Sequence, residues 1–333
     1  MENLPDKKSH IEESPPPPAA GKAQPPMAQP AAAVGLGPVG VYLRLVKFSH
    51  TAFALPFALL AAFLAGAGRE AGFVRTGRFW AELALVLACM VSARSAAMAF
   101  NRIVDVRIDR HNPRTAGRPL QQGQLTLRQA WGFFFGCSGI FLACCIAFAA
   151  GWGNYWPILL ALPVLGWLCL YSLTKRVTSL CHLSLGVALG LSPVSAWLAI
   201  SPETFGPAAW ALAAAVVCWV AGFDIIYSLQ DLPYDLEQGL HSLPADLGPA
   251  NALWISRSLH VTAVTALGIV WLLSQGRLGM PYLSALAAAA IVLLVEQILV
   301  SPRDFSRVNA AFFACNGAVS LLLGALGIVD ILV

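Results

Sequence analysis

The chain has 333 residues, of which 58% are hydrophobic and 11% charged, and its mean hydropathy is +0.69. These values exclude an ordinary water-soluble domain, because a fold of this size would leave too much apolar surface in water. The formal net charge of +4 is small and most basic residues lie in short connections. The composition therefore indicates the lipid bilayer as a partner and gives no indication of nucleic acid.

The first part of the chain differs in composition from the rest. Residues 1–38 are rich in Pro, Ala and charge, with an uninterrupted proline run at 15–18. A segment of this kind cannot bury enough apolar surface to form a core. We expect a disordered cytoplasmic tail over 1–38, followed by one membrane domain over 39–333.

Nine apolar blocks follow, each close to the roughly 20 residues that a helix needs to cross a bilayer. They predict an all-α membrane protein of about nine transmembrane helices. Two of the blocks contain an internal proline, Pro163 or Pro193, which neighbouring helices can accommodate. The blocks cover residues 48–67, 80–102, 127–149, 155–173, 179–200, 207–228, 254–274, 279–300 and 309–332.

The positions of Lys and Arg predict the orientation of these helices. Sixteen of the 21 basic residues fall on the side of the amino terminus, four fall on the opposite side, and Arg94 lies inside the second helix. Short connections that carry Lys and Arg normally stay in the cytoplasm. The amino terminus is therefore predicted to be cytoplasmic and the carboxyl terminus to be on the far side.

The first acidic motif, NRIVDVRID, lies at the cytoplasmic end of the second predicted helix. Asn101, Asp105 and Asp109 recur every four residues, so on a helix they share one face with roughly 6 Å between neighbours. Two ionised carboxylates at that separation repel by about 3 kcal/mol at an effective dielectric constant near 20. The motif therefore needs a counter-cation or bound protons.

The second acidic motif, DIIYSLQDLPYD, lies at the cytoplasmic end of the sixth predicted helix. On helical spacing Asp224, Asp231 and Asp235 fall within about 40° of one another, with Tyr227 beside them. Pro233 should kink or end the helix between the last two acids, which leaves a loop position open for Asp235. Tyr227 is a candidate to position a substrate, with an interfacial aromatic role as the alternative.

An even number of membrane crossings separates the two motifs, so both open onto the same face of the bilayer. Facing carboxylates with an asparagine suit Mg²⁺, which prefers oxygen ligands and commonly shares them with a phosphate substrate. Nearby cations can engage diphosphate oxygens: Arg114 and Arg118 after the first motif, and Lys175 and Arg176 between helices 4 and 5. Arg94, seven residues before Asn101, is a further candidate, with a structural ion pair as the alternative.

Taken together, these motifs resemble the UbiA superfamily of intramembrane prenyltransferases from about residue 41 to the end of the chain. The resemblance is carried by NRIVDVRID with NPRTAGRPLQQG, by YSLTKR, and by DIIYSLQDLPYD with GLHSLP. It is closest to the 4-hydroxybenzoate polyprenyltransferase-like branch, which includes menaquinone-pathway enzymes of the futalosine route. The proline-rich tail lies outside the family pattern.

The resemblance implies helices around a central cavity and Mg²⁺-dependent transfer of a polyprenyl group from polyprenyl diphosphate to a small aromatic acid. That reaction is a step of ubiquinone or menaquinone biosynthesis, with 4-hydroxybenzoate or a dihydroxynaphthoate as the acceptor. The implied location is the bacterial inner membrane, with the active site on the cytoplasmic side. Carried over by position, the metal ligands and catalytic residues are Asn101, Asp105 and Asp109 for one metal–diphosphate group, and Asp231 with Asp235 or Asp224 for the other.

Two alternatives remain open. Within the same superfamily, the acceptor can be a haem or chlorophyll precursor, or the reaction can be phosphoribosyl transfer to a lipid phosphate. From a different class, a cation-coupled secondary transporter also uses intramembrane acids, but it requires them near the midplane with access from both faces. The clustering of the acids at one face favours the enzyme.

Overall fold

The computed structural model describes residues 37–46, 53–112 and 115–333. The regular structure in these ranges is helical, apart from an isolated antiparallel bridge between Ser301 and Asp304. Residues 1–36, which make up nearly all of the expected tail, lie outside the described part. The helices are α1 Pro38–Leu45, α2 Leu55–Arg69, α3 Gly77–Val104, α4 Val106–His111, α5 Leu127–Trp152, α6 Trp156–Thr174, α7 Cys181–Ile200, α8 Pro207–Ser228, α9 Leu232–Gln238, α10 Leu243–Leu247, α11 Pro249–Leu273, α12 Met280–Leu299, α13 Val308–Ala310 and α14 Asn316–Leu332.

The predicted all-α membrane architecture is confirmed. Within the described ranges, eight helical segments are long and apolar enough to cross a membrane, and α2 is a ninth, shorter apolar helix of 15 residues. The block predicted at 48–67 corresponds to α2, and residues 47–52 at its start lie outside the described part. The last span, Phe312–Leu332, begins within a π-helical turn over Ala311–Cys315.

Local sequence signals account for several helix boundaries. A capping box begins α5, where Thr126 Oγ1 accepts from the Gln129 backbone N and Gln129 Oε1 accepts from the Thr126 backbone N. The same helix ends at Gly153, whose φ of 68° is left-handed and favours glycine. Pro163 and Pro193 lie inside α6 and α7 without ending them, as expected for membrane helices whose neighbours compensate the lost hydrogen bond.

Close approaches at small residues pack α7, α8 and α11 against one another. A Cβ added at Gly186 of α7 would lie 2.5 Å from the carbonyl oxygen of Val217 in α8. One added at Gly222 of α8 would lie 2.3 Å from the imidazole of His260 in α11. Because lipid supplies little hydrophobic force between helices, such close van der Waals contact contributes much of their association.

A buried set of polar side chains joins α8, α11, α12 and α14. Asn316 Nδ2 donates to Glu296 Oε1 at 2.6 Å, and Trp219 Nε1 donates to Asn316 Oδ1 at 2.8 Å. Gln297 Nε2 donates to Ser256 Oγ at 2.9 Å. Polar groups inside a bilayer are stable only when they pair with one another. These bonds therefore fix the relative positions of the four helices.

The packing of α7 on α8 can be tested at Gly186. We expect Gly186→Ala to destabilise the protein by about 1–3 kcal/mol, because the new methyl group meets backbone that must move. Thermal unfolding in detergent measures the effect. Gly166→Ala in α6 is the matched control, since Gly166 is exposed and its added Cβ meets nothing within 4 Å. Equal melting temperatures for the two variants would contradict the close approach.

Candidate active site

The first acidic motif lies where α3 gives way to α4. We predicted one continuous helix through this motif, but α3 ends at Val104 and α4 begins at Val106, with Asp105 at the break. The four-residue repeat survives because the backbone N of Asp105 donates to the Asn101 O at 3.1 Å and that of Asp109 donates to the Asp105 O at 2.8 Å. Asn101, Asp105 and Asp109 therefore still line one cavity.

The second acidic motif is divided by a short 3-10 turn. α8 ends at Ser228, the turn covers Leu229–Asp231, and α9 carries Pro233 in its first turn. Proline is tolerated there because the first-turn N–H groups have no partner within the helix. The predicted interruption before Asp235 is present. The loop position considered for Asp235 is wrong, since this residue lies in α9 and is fully buried.

The two motifs meet around one polar cavity of about 250 Å³. Asn112 Nδ2 donates to Asp231 Oδ1 at 3.4 Å, and the Tyr234 hydroxyl donates to the Ile108 carbonyl at 2.5 Å. Both contacts connect the α3–α4 region with the α8–α9 region. The predicted site residues that line this cavity are Asn101, Asp105, Asp109, Arg118, Lys175, Asp224, Tyr227 and Asp231.

Arginines contact the acids of the first motif. Arg118 Nη1 forms an ion pair with Asp109, and Arg176 Nη2 lies 2.8 Å from Asp105 Oδ1. Burial raises the pKa of Asp105 and the Asp109 carboxylate adds to this effect, while the hydrogen bond from Arg176 opposes it. Each carboxylate of this motif thus has a cation beside it that comes from another part of the chain.

Lys175 compensates the buried acid of the second motif. Its Nζ lies 2.7 Å from Asp235 Oδ1, and the Asp235 side chain is 0% exposed. Burial opposes the charged form of Lys175, but its pairing with Asp235 outweighs this and holds the lysine pKa above its ordinary value. Asp235 is absent from the cavity lining, whereas Lys175 is part of it.

Asp224 has a different environment from the other acids. It lies on α8, two turns deeper than Asp231, and its Oδ2 is 2.7 Å from Nδ1 of His182 on α7. The position of His182 in the sequence matches no ligand spacing. The contact joins residues 42 positions apart, so helix packing rather than any local motif brings them together. Asn112 was missed for the same reason.

A second cavity, of about 200 Å³ and with a mainly apolar lining, borders the first. Arg94 lines this second cavity and not the polar one, so it does not join the acidic residues as predicted. Tyr171 lines both cavities and marks their junction. Tyr227 lines the polar cavity, where its ring lies 4.2 Å from that of Phe312. Arg114 falls outside the described residues.

The oxygen donors of the polar cavity fit a metal that shares its ligands with a phosphate. In the part of the chain that the structure describes, no three His, Cys, Asp or Glu residues are close enough to hold a metal ion on their own. Mg²⁺ commonly takes only one or two protein carboxylates and completes its shell with phosphate and water oxygens. Asp105, Asp109, Asp231 and Asn101 supply donors of that kind in the lining of one cavity.

Comparison with known proteins identifies the class of this fold and site. The UbiA prenyltransferase family matches residues 54–318. A 4-hydroxybenzoate octaprenyltransferase from Cronobacter sakazakii is 30% identical over 242 residues, covering 72% of this chain and 80% of that protein. The chain is therefore a membrane-embedded prenyltransferase.

Solved structures agree with this result. An apo UbiA homologue from Aeropyrum pernix K1 is 36% identical, with a TM-score of 0.72 over 84% of this chain and 98% of that chain. A UbiA homologue from Archaeoglobus fulgidus bound to GPP and Mg²⁺ is 19% identical and has a TM-score of 0.66 over 88% and 100% of the two chains. The chain belongs to the UbiA prenyltransferase family.

The pairing of Lys175 with Asp235 predicts non-additive stabilities. We expect Lys175→Met to destabilise the protein by about 1–3 kcal/mol, because it leaves a buried carboxylate without its cation. Adding Asp235→Leu to that variant should restore most of the loss, since no uncompensated charge remains. Thermal unfolding of both single variants and the double variant in detergent checks this. Additive losses in the double variant would mean that the two residues do not act as a pair.

Proposed function

We propose that the chain transfers a polyprenyl group from a polyprenyl diphosphate to a small aromatic acid, 4-hydroxybenzoate or a dihydroxynaphthoate, in ubiquinone or menaquinone biosynthesis. The observation that carries the proposal is one polar cavity, lined by both acidic motifs and by basic residues, that borders an apolar cavity at Tyr171. Such a pair of cavities suits a donor with a charged head and a lipid-soluble tail. The octaprenyltransferase relatives support the aromatic acceptor.

The charge pairs of the polar cavity suit an exchange of partners when the donor binds. Arg118 and Arg176 contact Asp109 and Asp105, and all four residues line the cavity. A diphosphate accompanied by a divalent cation offers new partners to both sets of side chains. The guanidinium groups would turn to phosphate oxygens, which they can bind in bidentate fashion, and the carboxylates to the cation.

Asn101, Asp105, Asp109 and Asp231, which all line the polar cavity, would hold Mg²⁺. Asp235, expected from the sequence as a further ligand, is absent from that lining. When bound, the metal would neutralise charge that develops on the departing diphosphate. Lys175 and Arg118 would act on the same oxygens. As the C–O bond of the donor breaks, these fixed charges would stabilise the leaving group without reorganising at the moment of reaction.

The apolar cavity suits the prenyl tail and the allylic cation. Along α6 its lining extends from Trp156 to Tyr171, about 22 Å by helical rise. The lining includes aromatic faces such as Phe141 and Phe148, and such a lining keeps water away from a carbocation and attracts positive charge. An electron-rich ring would capture the cation by forming a carbon–carbon bond, and loss of the ring proton would restore aromaticity.

Two charged residues near the junction suit an aromatic acid. Arg94 lines the apolar cavity and Asp224 the polar one, and both lie within electrostatic range of Tyr171 between them. Arg94 would bind the acceptor carboxylate, in place of the diphosphate role expected from the sequence. Asp224 would accept a hydrogen bond from a ring hydroxyl and so increase the electron density of the ring.

The charge distribution supports a bacterial inner-membrane location with the amino terminus and the active site on the cytoplasmic side. The first acidic motif lies in a connection rich in Arg, and the second follows a helix that ends on the same side of the membrane. A cation-coupled transporter would need acids with access from both faces, whereas these acids line one cavity at one end of the bundle. Absence of product from both aromatic acids in the assay below would favour the alternative reactions within the superfamily.

The assignment of the acids can be tested by neutralising them one at a time. Asp105→Asn and Asp231→Asn should each lower turnover to the limit of detection, because the cation and the diphosphate lose a charged ligand. Folding should be retained, as judged by gel filtration in detergent. Glu237→Gln, which changes an exposed acid of the same α9 region, should leave turnover unchanged. Near-normal turnover in both aspartate variants would refute the metal assignment.

The acceptor can be identified with labelled prenyl diphosphate and Mg²⁺ by offering 4-hydroxybenzoate and a dihydroxynaphthoate in parallel. We expect a prenylated product from one of them. Arg94→Gln should raise the KM for that acceptor by about tenfold or more, as expected for loss of a charge-assisted bond. The KM for the donor should change little. The wild type and the Arg94→Gln variant should use an acceptor analogue without the carboxylate equally well. Loss of donor binding alone would place Arg94 on the diphosphate.

A further inference from the structure

His182 uses both of its ring nitrogens, and each contacts a different part of the site. The side chain lies in the first turn of α7, is 2% exposed and lines the polar cavity. Nδ1 is 2.7 Å from Asp224 Oδ2, and Nε2 accepts from the backbone N of Leu243 at 3.3 Å. A buried imidazole with two such contacts has a fixed ring orientation.

The contact with Leu243 defines which nitrogen carries the hydrogen. A backbone N–H can only donate, so Nε2 must present its lone pair and the hydrogen lies on Nδ1. His182 therefore donates from Nδ1 to Asp224. This contact orients a carboxylate oxygen.

The partner of Asp224 is a different type of residue from the partners of the other acids. Arg176 lies beside Asp105, Arg118 beside Asp109, and Lys175 beside Asp235. Asp224 has an imidazole instead, and its side chain remains 23% exposed where it lines the cavity. The pairing therefore holds one oxygen in place and leaves the carboxylate directed at the cavity.

We propose that His182 is a positioning residue that orients Asp224 toward the aromatic acceptor. The proposal rests on the function proposed above and deepens it, because it identifies the side chain that holds Asp224 in place while Asp224 contacts the acceptor. Without the Nδ1 donor, the Asp224 side chain can rotate to other donors in the cavity. The acceptor would then bind without its hydroxyl partner held in a fixed position.

The bond to Leu243 suggests a competing role, in which His182 holds the segment 239–243 over the cavity. Other hydrogen bonds also attach that segment: the backbone N of Leu240 donates to the Asp235 O and that of His241 to the Lys175 O, each at 2.9 Å, and Cys181 Sγ donates to the His241 O at 3.6 Å. The Leu243 contact, at 3.3 Å, is longer than the two backbone bonds. The segment is thus held without His182, whereas the short contact to Asp224 comes from this side chain.

Two isosteric substitutions separate the roles. His182→Asn keeps an N–H donor at the position of Nδ1 and removes the acceptor for Leu243. His182→Gln places an amide oxygen near the position of Nε2 and removes the donor to Asp224. The assay contains Mg²⁺, a labelled prenyl diphosphate and the acceptor that the wild type uses, and the wild-type protein is the reference. We expect the His182→Asn variant to keep kcat/KM for the acceptor within about threefold of the wild-type value. The Gln variant should lose about 10- to 100-fold, as expected for a hydrogen bond to a charged group.

The background Asp224→Ala supplies the decisive comparison. If His182 acts through Asp224, His182→Gln should cause no further loss of kcat/KM in that background. A full additional loss, or a Gln variant that outperforms the Asn variant, would overturn the proposal and assign His182 to the segment instead. Wild-type turnover is measured in the same experiment. Absence of prenyl transfer by the wild type would count against the proposed function. Wild-type turnover together with unchanged kcat/KM in both His182 variants would count against the role of His182.

Discussion

Charge compensation between distant parts of the chain is the constraint on which the active site depends. Three acids of the two motifs contact Arg118, Arg176 and Lys175, which come from the segment after α4 and the turn after α6. Carboxylates this close together in a poorly solvated cavity would otherwise repel or take up protons. The pairing opposes both effects, and the same cations are placed to bind an anionic substrate. The acids and cations can therefore compensate each other's charge, and they can also each take a partner of opposite charge when the donor and a divalent cation bind.

The arrangement of the helices follows from this requirement. The α3–α4 break and the α8–α9 turn bring the acids to one end of the bundle, where Asn112 and Tyr234 bridge the two regions. The apolar cavity lies between α3, α5, α6 and α7. A donor with a charged head and an apolar tail matches both environments at once. Tyr171 lines both cavities and so lies at the junction where we propose that the head and the tail of the donor meet.

Most of the fold and part of the site could be predicted from the sequence. Block length defines membrane helices because every backbone group must be satisfied within the segment, and the four-residue spacing of Asp105 and Asp109 survives even a helix break. The burial of Asp235 and the position of Arg94 could not be predicted. Both depend on which neighbouring helix packs against them, and a single helix contains no such information.

The difference between Asp224 and Asp235 illustrates this limit in physical terms. Both acids lie on one face at helical spacing, yet the turn at Leu229–Asp231 rotates the second away from the cavity and toward Lys175. Asp235 then contributes by fixing the lysine, while Asp224, held by the imidazole of His182, remains directed at the cavity. Equivalent positions in a motif thus acquire different roles because their partners and their burial differ. In a cavity of low dielectric constant, the partner decides whether a carboxylate binds substrate or supports the residue that does.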